Sequence, residues 1–554
     1  MSAQKLLLDY VYENEIKNAD RVYLTQPLEG GRVVDYTWKE TLDRARRMAT
    51  YLQAQGLERG DRVGIISKNC AHFIMAELAI WMAGYVTVAL YPTINGDSVK
   101  YILDHSGAKL LFIGKLDTWD EIKTGIADDL PCVAMPLAPK TDYVTFDSVV
   151  ASTEPLAGKP ARTADELGIL IYTSGSTGTP KGVMHGFGQM SAAAEGIVKA
   201  LEINAEDRCL SYLPLAHVFE RAYIETASFI AATHIFFAES LTTFVQDLNR
   251  ARPTVFISVP RLWLKFQLGV FKKQPPKKLA MLMKIPILGG IIKKKVLTGL
   301  GLDQVRLAGS GSAPIPAELI AWYRDLGLNL IEGYAMSEDF AYSHLSRAGF
   351  AEPGYVGIPY DGVEVKISDE GEILIKSPGC MQGYFNAPEQ TAESFTEDGF
   401  FKTGDRGERK PNGMLKITGR TKELFKTSKG KYVAPAPLEN LINVDNSIEA
   451  SMVTGSGQPQ ACALVVLNED LRAKAGDAAT RERLTAEFAA LLSDVNSKVE
   501  HHEHLQFIAV ISDEWTIESG MLTPTMKIRR SAVEDAYHAQ IEGWYESKSK
   551  VVWA

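Results

Sequence analysis

Cysteine is scarce in this sequence of 554 residues: Cys70, Cys132, Cys209, Cys380 and Cys462 are odd in number, scattered, and never spaced C-x-x-C. That pattern excludes a disulfide framework and a cysteine zinc site, and it fits a reduced, cytoplasmic setting. No apolar stretch reaches the roughly 18 residues of a membrane span. The longest, "LAIWMAGYVTVALYP" (78–92), is broken by Gly84 and reads as a buried helix running into a buried strand. The N-terminus "MSAQKLLLDYVYENE" lacks the apolar core of a signal peptide. A basic excess is missing as well: the net charge of −9 argues against general nucleic-acid binding. Acidic residues are absent between Asp247 and Asp303, where Lys265, Lys272, Lys273, Lys277, Lys278, Lys284 and Lys293–Lys295 bracket the apolar "LAMLMKIPILGGII". Residues 265–296 thus suit peripheral association with an anionic membrane face, with a solvated helix face or a positive rim steering anionic substrates as the alternatives.

What is present is a soluble-protein composition, 46% hydrophobic and 23% charged, ample for a large core. From 61 to 113 short β-branched runs alternate with helical patterns: "RVGIIS", "AHFIMAELAIWMAG", "YVTVAL", "SVKYILDHSG", "KLLFIG". That rhythm implies βαβ units and a parallel sheet. It returns at "CLSYLP", "THIFFA", "TVFISV" and "QVRLAGS". From about Gly354 to Gly419 short strands with glycine turns predict a separate antiparallel or barrel-like piece, and mixed α and β follow.

"YTSGSTGTPKG" (172–182) follows the apolar "ELGILIYT" and leads into "KGVMHGFGQMSAAAEGIVKAL", which predicts strand–loop–helix. Successive glycines let backbone N–H groups converge on an anion, and Lys181 adds a point charge. Taken alone, the loop is either a phosphate cradle or a structural turn. It is not a Walker loop, because Pro180 precedes Lys181 and Gly182 follows it, and "GSGSAP" (309–314) lacks the last glycine of a dinucleotide fingerprint.

The loop resembles the phosphate loop of the adenylate-forming superfamily: acyl-CoA synthetases, firefly-type luciferases and peptide-synthetase adenylation domains. Further segments resemble that family in the same order: "GSGSAP", "EGYAMSED" (332–339), "KTGDRG" (402–407), "ITGRTKELFKTSKGKYVAPAPLE" (417–439) and "LTPTMKIRR" (522–530). "LPLAHVFERAYIE" (213–225) and "LTPTMKIRR" look most like the long-chain fatty acyl-CoA synthetases. The resemblance implies an α/β fold: a large N-terminal domain (1–419) with parallel sheets flanked by helices and a small barrel-like β piece, and a smaller mobile α+β C-terminal domain (420–554) hinged near Lys422.

It also implies roles. Thr173, Ser174, Gly175, Ser176, Thr177, Gly178, Thr179 and Lys181 would hold the ATP phosphates, and Glu338 would hold Mg²⁺. Gly311, Ser312, Ala313 and Tyr334 would frame adenine. Ser337, where threonine is usual, Asp405 and Arg420 would serve the ribose and phosphates. Lys527, with Glu338 and Lys181, would be catalytic, bridging the attacking carboxylate and the α-phosphate. His217 would border the acyl pocket, or simply pack in the core. Lys422 would be the pivot, and Lys426 and Gly430 would line the CoA path. The expected activity is a long-chain fatty acid–CoA ligase using ATP, CoA and Mg²⁺, cytoplasmic or peripheral at the inner membrane face. Another carboxylic acid, a carrier-protein thiol acceptor, or a luciferase-type oxygenase are the alternatives. "HHEH" (501–504) has the wrong spacing for a zinc site and adjoins "HLQFIAVI", a predicted strand.

Overall fold

The computed structural model describes residues 4–174, 179–347, 350–517, 519–523 and 527–554. The predicted alternation is there: strand Arg62–Ile66, helix Ala71–Ala83, strand Val86–Leu90, helix Gly96–Ser106, strand Ala108–Ile113. Arg62–Ile66 pairs in parallel with both other strands. Helix Ala71–Ala83 buries every residue, as a helix without a polar face must. Gly84 ends it at φ +98, a left-handed turn that costs glycine little. The apolar run at 78–92 is therefore core, and no described helix is long and apolar enough to cross a membrane.

Among the described residues these strands belong to an eight-stranded sheet. It runs from Gly383–Tyr384 through Pro180–Gly186, Leu167–Ser174 and the three parallel strands to Val144–Thr145. A nine-stranded sheet carries the second rhythm, with Arg208–Ser211, His234–Phe237, Val255–Ser258, Leu307–Ser310 and Leu330–Tyr334 parallel at its centre. The glycine-punctuated stretch forms a four-stranded antiparallel sheet from Glu364–Ile367 to Leu415–Arg420.

One expectation needs correction. The glycine-rich loop does not open a helix. Leu167–Ser174 pairs antiparallel with Pro180–Gly186, Thr173 opposite Lys181, and the helix begins only at Phe187. Gly182, Val183 and His185 complete a ladder with the preceding strand, and backbone pairing there outweighs the helical pattern that starts downstream. The described residues on both sides of the loop are thus paired strands, with no helix dipole directly behind it.

The C-terminal domain has its own sheet, Ile448–Thr454, Ala461–Leu467, Leu505–Ile511 and Val551–Trp553. Ala461–Leu467 is buried on both faces. Ala463 and Val465 join the core under helix Ala478–Ser497, while Leu464 and Val466 join that under helix Arg530–Glu546. Two ion pairs tie this domain to helix Pro260–Lys273 of the large one: Arg261 to Glu449 at 3.1 Å, and Lys272 to Asp470.

Candidate active site

Three sheets meet at one cleft. The eight-stranded sheet brings the paired strand ends at Thr173 and Lys181. Of the loop residues, Gly175, Ser176, Thr177 and Gly178, and the side chain of Ser174, lie outside the described residues. Thr173 and Lys181 face each other across the hairpin base, and Thr179 is exposed beside them. The Lys181 ammonium sits 5.3 Å from the centre of the Tyr384 ring. Burial lowers its pKa, Lys422 lowers it further, and Glu338 opposes both.

The nine-stranded sheet supplies Tyr334, at the end of Leu330–Tyr334, and then a short turn of helix, Ser337–Asp339. Three contacts fix that turn. His185 Nε2–H donates to the Ser337 carbonyl at 2.7 Å, and Met381 N–H donates to that of Glu338 at 2.7 Å. Buried Asp339 accepts N–H bonds from Met336 (3.0 Å) and Tyr342 (3.3 Å). Burial pushes Asp339 up to about 8 and His185 down to about 4. The Tyr384 hydroxyl donates to Glu338 Oε1 at 2.9 Å, joining the ends of the two large sheets. A carboxylate anchored through one oxygen, beside a lysine, fits Mg²⁺, which prefers hard oxygen donors and keeps several waters.

The antiparallel sheet supplies Asp405 and Arg420, cross-strand partners joined at 2.9 Å. Asp405 also accepts the Tyr334 hydroxyl at 2.7 Å. The four lone-pair sites of the Asp405 carboxylate leave room for a further donor beside Tyr334 and Arg420. The turn after strand Leu307–Ser310 holds Ser312 at φ +66, a strained conformation for a residue with a Cβ. A Cβ on Gly311 would come to 3.0 Å from the Phe219 ring, a contact that the ring would have to give way to by a few tenths of an ångström.

Phe219 follows His217, whose Nδ1 accepts the Phe219 N–H at 3.1 Å and caps the turn Val218–Glu220. Burial, with Lys527 adding to it, pushes His217 down to about 3, so the ring is neutral. Glu220 pins the segment to its sheet, accepting from the Ser211 hydroxyl (2.6 Å), Tyr212 N–H (3.0 Å) and the Asn69 amide (3.2 Å). Behind it a π-helical turn, Arg221–Thr226, buries Arg221 between Glu77 (2.6 Å) and Glu225 (2.8 Å).

Lys527 comes from the other domain. Its backbone N–H and carbonyl are paired with Thr523. The residue is exposed to the cleft, yet surrounding protein and then Arg420 lower its pKa, while Asp405, Glu338 and Glu423 raise it. The hairpin bearing Lys426 and Gly430 packs instead on the loop after Thr454, with Gly457 N–H donating to the Lys426 carbonyl at 2.9 Å. Lys422 is exposed between the two domains. Tyr384, Asp339, His185, Phe219 and Glu220 escaped the sequence reading. Each acts through a contact made by folding, and Tyr384 lies 46 residues from its partner Glu338.

The chain matches the AMP-binding enzyme family over residues 13–385 and the AMP-binding enzyme C-terminal domain over 423–549. It is 31% identical to the long-chain-fatty-acid–CoA ligase FadD15 of Mycobacterium bovis, across 97% of this chain and 96% of that protein. Its structure is similar to the adenylation domain of a carboxylic acid reductase from Segniliparus rugosus, solved with AMP and a co-purified carboxylic acid (TM-score 0.81, 23% identity, 98% and 94% of the two chains). It is also similar to the anthranilate CoA ligase AuaEII in complex with anthranoyl-AMP (TM-score 0.79, 19% identity, 98% and 99%). With matches to both parts and a cleft built from three sheets and a second domain, the chain belongs to the AMP-binding enzyme family.

Proposed function

We propose that this ATP-dependent, AMP-forming acyl-CoA synthetase is a long-chain fatty acid–CoA ligase. One observation carries the reading: Lys527 lies within electrostatic reach of Asp405, Glu338 and His217 alike. A single ammonium there can meet both an incoming carboxylate and a phosphate. The carboxylate oxygen attacks the α-phosphorus of ATP, the P–O bond to pyrophosphate breaks, and acyl-AMP forms. The CoA thiol then attacks the acyl carbonyl and AMP leaves. The first step sets an anion against a polyanion, so positioning and charge compensation dominate.

Lys181 and the glycine-rich loop hold the β- and γ-phosphates. Glu338, steadied by Tyr384, would hold Mg²⁺, which when bound would supply further positive charge to the phosphates. Tyr334, Ser337, Asp405, Arg420 and the Gly311–Ala313 turn take the nucleoside. Neutral His217 and Phe219 border the acyl chain without placing a charge against it. Lys422 is the pivot about which residues 420–554 turn, bringing Lys426 and Gly430 to the thiol path for the second step. The fatty-acid class is supported by "LPLAHVFERAYIE" and by the mycobacterial relative, a long-chain-fatty-acid–CoA ligase by name. We place the protein in the cytoplasm, peripheral at the inner membrane face.

The test is product analysis with ATP, CoA and acids of graded chain length, scoring AMP and acyl-CoA. Highest kcat/KM for long chains is the expected result. Thioester formed only on a carrier protein, or only from short or aromatic acids, rejects it.

A further inference from the structure

Helices Pro276–Met283 and Leu288–Gly299 form a hairpin outside the catalytic cleft. Its base is packed: Leu279 and Leu300 are buried, and Met283, Val296 and Leu297 rest on the core beneath. Its tip is not. Met281 is 61% exposed, Ile287 87% and Ile291 60%, with Ile285 and Leu288 exposed beside them.

The tip conformation is costly. Ile287 sits at φ 65, ψ −57, and the Leu288 N–H donates to the Pro286 carbonyl at 2.7 Å, a three-residue γ-turn with its centre at positive φ. A β-branched residue is poorly suited to that region. Gly289 makes the tight return possible, because a Cβ there would come within 2.2 Å of the Met283 carbonyl oxygen. The strained turn holds Ile287 out in water, where its side chain gains no burial.

Charge supplies the second half of the pattern. Of the nine lysines from Lys265 to Lys295, only Lys272 has a carboxylate partner among the described residues. Lys277, Lys278 and Lys284 on one arm, and Lys293, Lys294 and Lys295 on the other, flank the apolar tip, and no acidic residue lies between Leu248 and Leu302. A soluble protein partner with an apolar patch would not need six unpaired cations around it. An anionic bilayer offers both an apolar phase for the tip and phosphates for the rim.

We propose that this hairpin is a membrane-docking finger: Ile287 and Ile291 enter the acyl-chain boundary of an anionic lipid surface, and the six flanking lysines engage its phosphate headgroups. The proposal rests on the peripheral localisation stated above and names its contact.

The test is co-sedimentation of the full-length protein with phosphatidylcholine vesicles, with and without roughly 30% phosphatidylglycerol, at about 50 and 500 mM salt. Wild type should bind the anionic vesicles, weaken at the higher salt, and bind neutral vesicles poorly. Ile287→Glu/Ile291→Glu should lower partitioning about tenfold or more while far-ultraviolet circular dichroism and the ATP–pyrophosphate exchange rate stay unchanged. Ile287→Cys carrying an environment-sensitive dye should shift blue on anionic vesicles alone. Wild type that binds no vesicle overturns the localisation and the finger together. Wild type and the double variant binding equally, with no dye shift, overturns the finger and leaves the localisation standing. Equal binding to neutral vesicles overturns the anionic specificity, and a dimer abolished by the same substitutions would assign the tip to a second copy instead.

Discussion

Tyr384→Phe removes one oxygen from the site and leaves the ring that faces Lys181 in place. The lost contact is the 2.9 Å bond to Glu338 Oε1. A hydrogen bond to a charged group contributes about 1.5–3 kcal/mol. Tyr384 is buried but Glu338 is only half-buried, so water replaces part of the loss and the lower figure applies. A change of about 1.4 kcal/mol is tenfold in rate. The assay is ATP–pyrophosphate exchange driven by a fatty acid, titrated with Mg²⁺. Exchange should fall about tenfold at limiting Mg²⁺ and recover largely at excess, since the carboxylate is misoriented rather than absent. Thioester formation from supplied acyl-adenylate should stay near wild type. Tyr384→Leu, which also removes the ring under Lys181, should fall further and recover less. A Tyr384→Phe enzyme with an unaltered Mg²⁺ titration would refute the claim that this hydroxyl orients the metal-binding carboxylate.

Lys527→Ala should slow acyl-adenylate formation by roughly two or more orders of magnitude, the scale of one preorganised electrostatic donor; equal loss in the thioester half-reaction, measured separately, would remove its assigned role. Lys422→Pro should slow thioester formation and leave adenylate formation near normal, because a fixed φ resists rotation at the pivot; stopped-flow rates that match wild type in both steps would argue against a hinge there. Burial raises Glu220 to about 8, above its value in an unfolded chain. The native state therefore keeps a proton that the unfolded state releases, and the stability this contributes is lost as pH rises from about 4.3 toward 8. Glu220→Gln, which cannot titrate, should flatten that part of the curve of urea midpoint against pH; an identical slope would show that Glu220 does not titrate across this range.

The parallel sheets were legible because β-branched runs alternate with helical periods, as in "RVGIISKNCAHFIMAELAIWMAGYVTVAL". The hairpin at Pro180–Gly186 was not. "PKGVMHG" has weak strand character, and its pairing comes from a partner already held in a sheet on its other side. The motif residues announced Glu338, Asp405 and Lys527, whereas their supports could not be read. Tyr384 stands in "MQGYFNAPEQ", which carries no local sign of its partner. The Glu220 contacts to Asn69 span 151 residues, and the Arg221 pair with Glu77 spans 144. The lysine-bracketed apolar stretch showed its composition but not its γ-turn, because nothing in "KIPILGG" requires Ile287 at positive φ.

The charge pairs that join helix Pro260–Lys273 to Glu449 and Asp470 are made by side chains in contact with water. Each contributes under about 1 kcal/mol, and salt erodes it. These two pairs thus hold the small domain hardly more firmly than thermal agitation. If the small domain turns between the two proposed steps, a firm clasp would strand the enzyme holding its reactive anhydride. Ionic strength then becomes a dial on turnover, tilting the partition between the inward stance of Lys527 and whatever stance follows.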